Sequence, residues 1–127
     1  MGHLAGIMVL LFLAITFLQS GYDKFVNYKD NSSWLKEHFA GTFFDGKVDF
    51  SLKVLLLLEV VAGILCIVGI IELSVSGGTT FGKYGALVSC ITLLLLLFGQ
   101  RVAKDYDGAR TIAIYFITAV FGLYLLQ

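Results

Sequence analysis

Four stretches of this chain are apolar for so long, and on so many sides, that no water-facing stripe has room: residues 4–26, 51–73, 81–103 and 109–126. Each runs to about 18–23 residues, and an α-helix rising 1.5 Å per residue needs about 20 to cross a hydrocarbon layer near 30 Å thick. The helices of a soluble bundle would each keep a polar face, whereas LLLLEVVAGILCIVGII and VSCITLLLLLFG are apolar all the way round. A membrane β-barrel would show short alternating segments between turns, and none is seen. The chain has no Pro, so every span is free to run unbroken. Short connections make the expected fold an all-α membrane protein, one domain over 1–127, with four transmembrane helices in an up-down bundle.

The first connection is patterned too. Asn31, Ser32 or Ser33 can cap a helix start, and Leu35, Phe39 and Phe43 recur every four residues with Trp34 beside them. Lys36, Glu37, Ala40 and Gly41 occupy the other side. This spacing predicts a short amphipathic helix over residues 32–44, lying in the headgroup layer with the Trp34 ring at the interface. The helix either anchors the chain or covers one mouth of the bundle.

Composition agrees with a bilayer environment: 58% of the residues are hydrophobic and 14% charged, for a mean hydropathy of +0.90. The formal net charge of zero gives no sign of a nucleic-acid partner. Residues 4–26 resemble a secretory signal in position, but Met1, Gly2 and His3 supply no positive lead, and the segment reads as a retained span. Of the nine cations, Lys24, Lys29, Lys36, Lys47, Lys53, Arg101, Lys104 and Arg110 fall on the face of the first and third connections. Lys83 alone falls on the other. The positive-inside bias therefore puts the first and third connections in the cytoplasm and both termini outside.

Polar groups gather at that same end. Helix one finishes in LQSGYDKF, with Gln19 and Asp23 four apart, as are Ser20 and Lys24. Glu59 lies about 12 Å into helix two, counted at 1.5 Å per residue. Helix three ends in GQRVAKD with Gln100, Arg101 and Asp105, and Asp107 and Arg110 open helix four. An ionised Glu facing lipid costs several kcal/mol, so Glu59 should point inward, be protonated, or pair with a cation, with Lys24 and Arg101 as the candidates. Arg offers the better fork for a carboxylate. The expectation is a Glu59–Arg101 pair surrounded by Gln19, Asp23 and Gln100, within a candidate binding set of Gln19, Asp23, Lys24, Glu59, Gln100, Arg101, Asp105, Asp107 and Arg110. The plainer alternative is interhelical glue, since such hydrogen bonds hold membrane helices together at about 0.6–2 kcal/mol each.

Other chemistry has little support. Cys66 and Cys90 sit on different helices with no CxxC, and behave by default as small apolar residues, although their depths differ by only about 6 Å and leave a bridge open. His3 and His38 are isolated and no His/Cys set has metal-ligand spacing. No nucleophile elbow, P-loop or dinucleotide fingerprint is present. Gly85 and Ser89, and Ala109 and Ala113, have small-xxx-small spacing, while the bulky Leu93 to Phe98 run is expected to face lipid.

The segments FLQSGYDKF, LEVVAGILC and GQRVAKDYDGA, together with WLKEHFAGTFF in the first connection, give the chain a likeness to the DoxX family of small four-helix membrane proteins. The likeness spans nearly the whole chain, and the third segment is the most specific. Many relatives start helix one with an Arg, and here Met1 to Ser20 contain none. The resemblance implies a bacterial cytoplasmic-membrane protein linked to redox complexes, including a thiosulfate:quinone oxidoreductase subunit, or to receptor assembly. Three roles follow from it. The first is an accessory subunit near a quinone, with Glu59, Arg101 and Asp105 touching the quinone head or a partner protein. The second is a non-enzymatic assembly module that binds a partner's transmembrane helix or a small amphiphile, with a second copy of the chain as an alternative partner. The third is a proton-coupled carrier titrating on Glu59.

Overall fold

In the computed structural model, which describes residues 3–41, 46 and 48–127, five helices follow in order. They are α1 (Leu4–Val26), α2 (Tyr28–Phe39), α3 (Val48–Val75), α4 (Thr80–Val102) and α5 (Tyr106–Leu126). Helices α1, α3, α4 and α5 are long and apolar enough to cross a membrane, as expected of an all-α four-helix bundle. Helix α1 has the bounds read from its hydropathy; α3 begins three residues earlier than expected, at Val48, and α5 three earlier, at Tyr106.

Helix α3 packs between α1 and α4, α4 packs on α5, and α5 closes back on α1 through a smaller contact. Alternation of direction is visible at one end of the bundle. A Cβ on Gly6 of α1 would meet Leu73 of α3 and Leu126 of α5, and one on Gly82 of α4 would meet Leu10 and Leu126. The first turns of α1 and α4 thus sit beside the last turns of α3 and α5. The core holds Leu10, Leu13, Phe17, Ala62, Cys66, Leu93 and Ala119, all almost fully buried. Met8, Ile15, Ile64, Ile71, Leu94, Ile117 and Tyr124 project outward. An outer surface as apolar as the interior belongs in lipid rather than water. Leu93 departs from the expectation for the 93–98 run: at 1% exposure it is core, while Leu94, Leu95 and Phe98 do face out.

The tightest seam lies between α3 and α4. A Cβ on Gly69 would lie 2.5 Å from the Cα of Gly82, and one on Gly85 2.9 Å from the backbone nitrogen of Cys66. Only hydrogen at these positions lets the two backbones approach so closely, the usual device of membrane helix pairs. Ser89, one turn on from Gly85, returns its hydroxyl to the Gly85 carbonyl at 2.7 Å and lies 4.0 Å from Cys66 Sγ. Cys66 and Cys90 are both free thiols.

Helix α2 starts four residues before the expected 32, with Asn27 alone separating it from α1. Ser32 is not a cap. Its hydroxyl donates to Asp49 Oδ1 at 2.8 Å, Tyr28 donates to the same oxygen at 3.3 Å, and Lys36 pairs with Asp49 Oδ2 at 3.1 Å. Residues one turn apart on α2 therefore grip one carboxylate at the start of α3, and the grip carries the helix back through Tyr28. Desolvation first, and the Asp49 carboxylate second, push the Tyr28 phenol above its ordinary value, so it remains a donor at neutral pH. Trp34 is half exposed. The side chains of Leu35, His38 and Phe39, and all of Phe43, lie outside the described residues.

Gly69→Ala should lower the unfolding free energy in detergent by about 1–3 kcal/mol, the range for an overpacked contact that has to open. Leu94→Ala on the outer face should shift the melting temperature much less, and thermal unfolding of the purified protein compares the two.

Candidate functional site

The two glycine contacts of the α3–α4 seam fix a register that sets Glu59 level with Thr92 of α4. Arg101 comes nine residues later, about 14 Å further along the axis. On the other side, a Cβ on Gly21 would meet Val60 and one on Gly63 would meet Leu18. That register sets Glu59 level with Tyr22, within two residues of Lys24. Glu59 consequently pairs with Lys24 and not with Arg101: Lys24 Nζ lies 3.1 Å from Glu59 Oε1. The side-chain exposures are 19% for Lys24 and 1% for Glu59. Lys24 also donates to Ser20 Oγ, one turn back on α1, at 2.7 Å.

Among the ion pairs of the described residues, this is the one shielded from water. The other ion pairs among the described residues, Lys36 with Asp49 and Arg110 with Asp107, are exposed, and such pairs contribute about 0–1 kcal/mol. Loss of one partner from a buried pair costs about 3–5 kcal/mol, because the remaining charge is stranded. Lys24 spends two of its three donors on Ser20 and Glu59. Glu59 Oε2 is buried and accepts from no donor among the described residues, and the same holds for Gln100 Oε1. Buried acceptors are normally satisfied, so an oxygen left open is where a donor from water, a ligand or a partner belongs.

The remaining candidates separate from this centre. Gln19 is exposed, and Asp23 is exposed and accepts from Asn27 Nδ2 at 2.9 Å. Arg101 is exposed, its guanidinium carbon 5.0 Å from the centroid of the Tyr106 ring. Asp107 and Arg110 bond to each other at the surface of the first turn of α5.

Asp105 has a local task. Its carboxylate accepts from the Gly108 backbone N–H at 3.2 Å, capping α5. Just before it, Asp105 N–H bonds Gln100 O at 2.8 Å and Lys104 N–H bonds Arg101 O at 3.2 Å, with Lys104 at φ 62°. This is the six-to-one, five-to-two closure with a left-handed residue just past the helix end. A Cβ on Gly108 would fall 2.5 Å from both Asp105 Oδ2 and Gln100 Nε2, so a larger residue there would have to push these two side chains aside. The segment GQRVAKDYDGA is thereby explained as a helix stop joined to a helix start. Ala109 is its buried residue, and Gln100 turns Oε1 inward.

A second feature was not anticipated. Along the outer side of the α1–α3 seam runs a groove of about 460 Å³, floored by Gly21 and walled by Leu18, Tyr22 and Phe25 of α1 and Leu56, Leu57 and Val60 of α3, with Lys53 at its end. At 100° per residue, Lys24 and Glu59 lie about a quarter turn or more from the groove-lining faces of their helices, so pair and groove occupy different sides of one seam. No polar motif marks the groove. Its sequence signal was the recurrence of Leu18, Tyr22 and Phe25 on the face next to Lys24.

Lys24→Met alone should destabilise the protein by about 3–5 kcal/mol, and combining it with Glu59→Met should recover part of that loss. Arg101→Gln should cost no more than about 1 kcal/mol, the value of an exposed cation–ring contact. Denaturant unfolding of the purified variants in detergent measures all three.

Set beside family models, curated proteins and solved structures, the chain matches none.

Proposed function

We propose that this chain is a membrane-embedded binding subunit of the DoxX kind, accessory to a quinone-linked redox complex in a bacterial cytoplasmic membrane. Its first and third connections face the cytoplasm, and its termini face outward. The observation that carries this reading is the buried Lys24–Glu59 pair, with one carboxylate oxygen that meets no donor among the described residues. A pair that served only as glue between α1 and α3 would gain by closing that oxygen with a second hydrogen bond, because an unmet buried acceptor costs about 1–3 kcal/mol.

The donor set fits a quinone head. Glu59 Oε2 is free to accept from a quinol hydroxyl, and the third N–H of Lys24 can serve a quinone carbonyl. A quinone, when bound, supplies two-electron chemistry. This chain's residues bind and orient it: Lys24 holds the charge of Glu59 in place, and Glu59 offers an oxygen to a proton or a hydroxyl. The second reading, a module that takes a partner's membrane helix, is favoured by Gln100 Oε1, an open acceptor beside the α4–α5 turn.

Purification in mild detergent tests the proposal. Quinone retained with the protein, together with a soluble oxidoreductase, is the expected outcome, and Glu59→Gln should lower quinone retention by about tenfold, as loss of a hydrogen bond to a charged group implies. A stoichiometric membrane partner without quinone would move the assignment to the assembly module. Uptake driven by a pH gradient in vesicles, lost in Glu59→Gln, would move it to a carrier. A reporter fused after Gln127 should be active only when it lies outside the cytoplasm.

A further inference from the structure

The groove on the outer side of the α1–α3 seam is not used by the proposed site, and it has a built-in polarity. Seven of its lining residues are Leu, Val, Gly or aromatic, and the eighth is Lys53. Tyr22, Phe25 and Leu57 are 71%, 72% and 64% exposed, so the groove opens sideways toward lipid. From Val60 to Lys53 it follows α3 for about 10 Å, most of one hydrocarbon leaflet, and ends beside the start of that helix. Its volume lies within the range of about 300–1,000 Å³ typical of ligand sites. Open along its side and apolar along its length, the space suits an extended acyl chain.

The charge at the end of the groove decides which chain-bearing molecule it suits. The carboxylate nearest to Lys53 in sequence on its own helix is Asp49, one turn earlier, and Asp49 is already taken by Ser32, Tyr28 and Lys36. No carboxylate among the described residues pairs with Lys53. An exposed ammonium at headgroup depth, with an apolar furrow leading away from it into the leaflet, is complementary to an anionic head on a hydrocarbon tail.

We infer that the α1–α3 groove holds one acyl chain of an anionic phospholipid whose phosphate is bound by Lys53. The site stands independently of any quinone at Glu59. Asp49 acts in it as well: by engaging α2 through three donors, it leaves Lys53 available.

Native mass spectrometry of the full chain, reconstituted with equal amounts of phosphatidylglycerol and phosphatidylcholine of identical tails, tests the site. Wild type should retain the anionic lipid about fivefold over the zwitterionic one, the preference that a single lysine near a membrane surface supports. Lys53→Gln should bring the ratio to about one, and Leu57→Trp, by filling the groove, should lower retention of both lipids. Lys83→Gln, at the opposite end of the bundle, should leave the ratio unchanged. High salt applied to the unaltered protein should also reduce the preference, which provides a reading free of any substitution. Equal retention by wild type, a preference that survives Lys53→Gln, or a neutral amphiphile or second copy in place of the lipid would each overturn the inference.

Discussion

Close passage of α3 on α4, with Gly69 against Gly82 and Gly85 against Cys66, is the contact from which the rest of the bundle takes its measure. Where two backbones meet with no side chain between them, helices cannot slide by a turn without collision, so the register is fixed at that point. The depth of every polar side chain on α3 and α4 follows from it. Glu59 comes level with Thr92, and Arg101 is carried to the rim. Gly21 and Gly63 do the same for α1 on α3, which brings Lys24 to the carboxylate. A membrane interior offers no hydrophobic force to pull helices together, so packing of this kind has to supply much of the cohesion.

Within that frame the charges sort by depth. Lys24 and Glu59 lie inside the bundle, 3.1 Å apart, where loss of either partner would strand the other. Arg101, Asp107, Arg110, Lys36 and Asp49 lie at the rim, where water and headgroups share the load and the pairs contribute little. The chain thus concentrates its electrostatic consequences in one contact between α1 and α3 while its rim charges arrange turns. Asp105 and Lys104 close the α4–α5 corner, and Asp49 ties α2 to the start of α3.

The four spans were legible in the sequence because their apolarity is continuous, and length alone then selects a helix that crosses a bilayer. The start of α2 was not. Asn27, Asn31, Ser32 and Ser33 are all cap-competent, and local spacing cannot tell that Ser32 is committed to a carboxylate seventeen positions away. The placing of polar residues toward one end was legible, and so was the burial of Glu59, but the single cluster expected of them does not form. The partner of Glu59 was not legible, because depth counted along each helix says nothing of register, and the preference for an Arg fork was outweighed by about 14 Å of axial distance. The segment GQRVAKDYDGA stood out for its residues, yet its conspicuous members Asp105, Lys104 and Gly108 answer to backbone closure. The groove beside the pair was invisible to any reading that looks for chemistry in polar residues.

The Lys24–Glu59 contact also bears on how the protein is made. A carboxylate near the middle of a hydrophobic helix resists entry into the bilayer by about 2.5–3.5 kcal/mol on insertion scales for an acidic residue. Helix α1 emerges from the ribosome first, so Lys24 is made before α3 arrives. The counter-ion thus precedes the charge it must receive, and the order of the two helices along the chain gives biogenesis a direction. A rearranged chain with α3 ahead of α1 would ask Glu59 to enter the lipid unaccompanied.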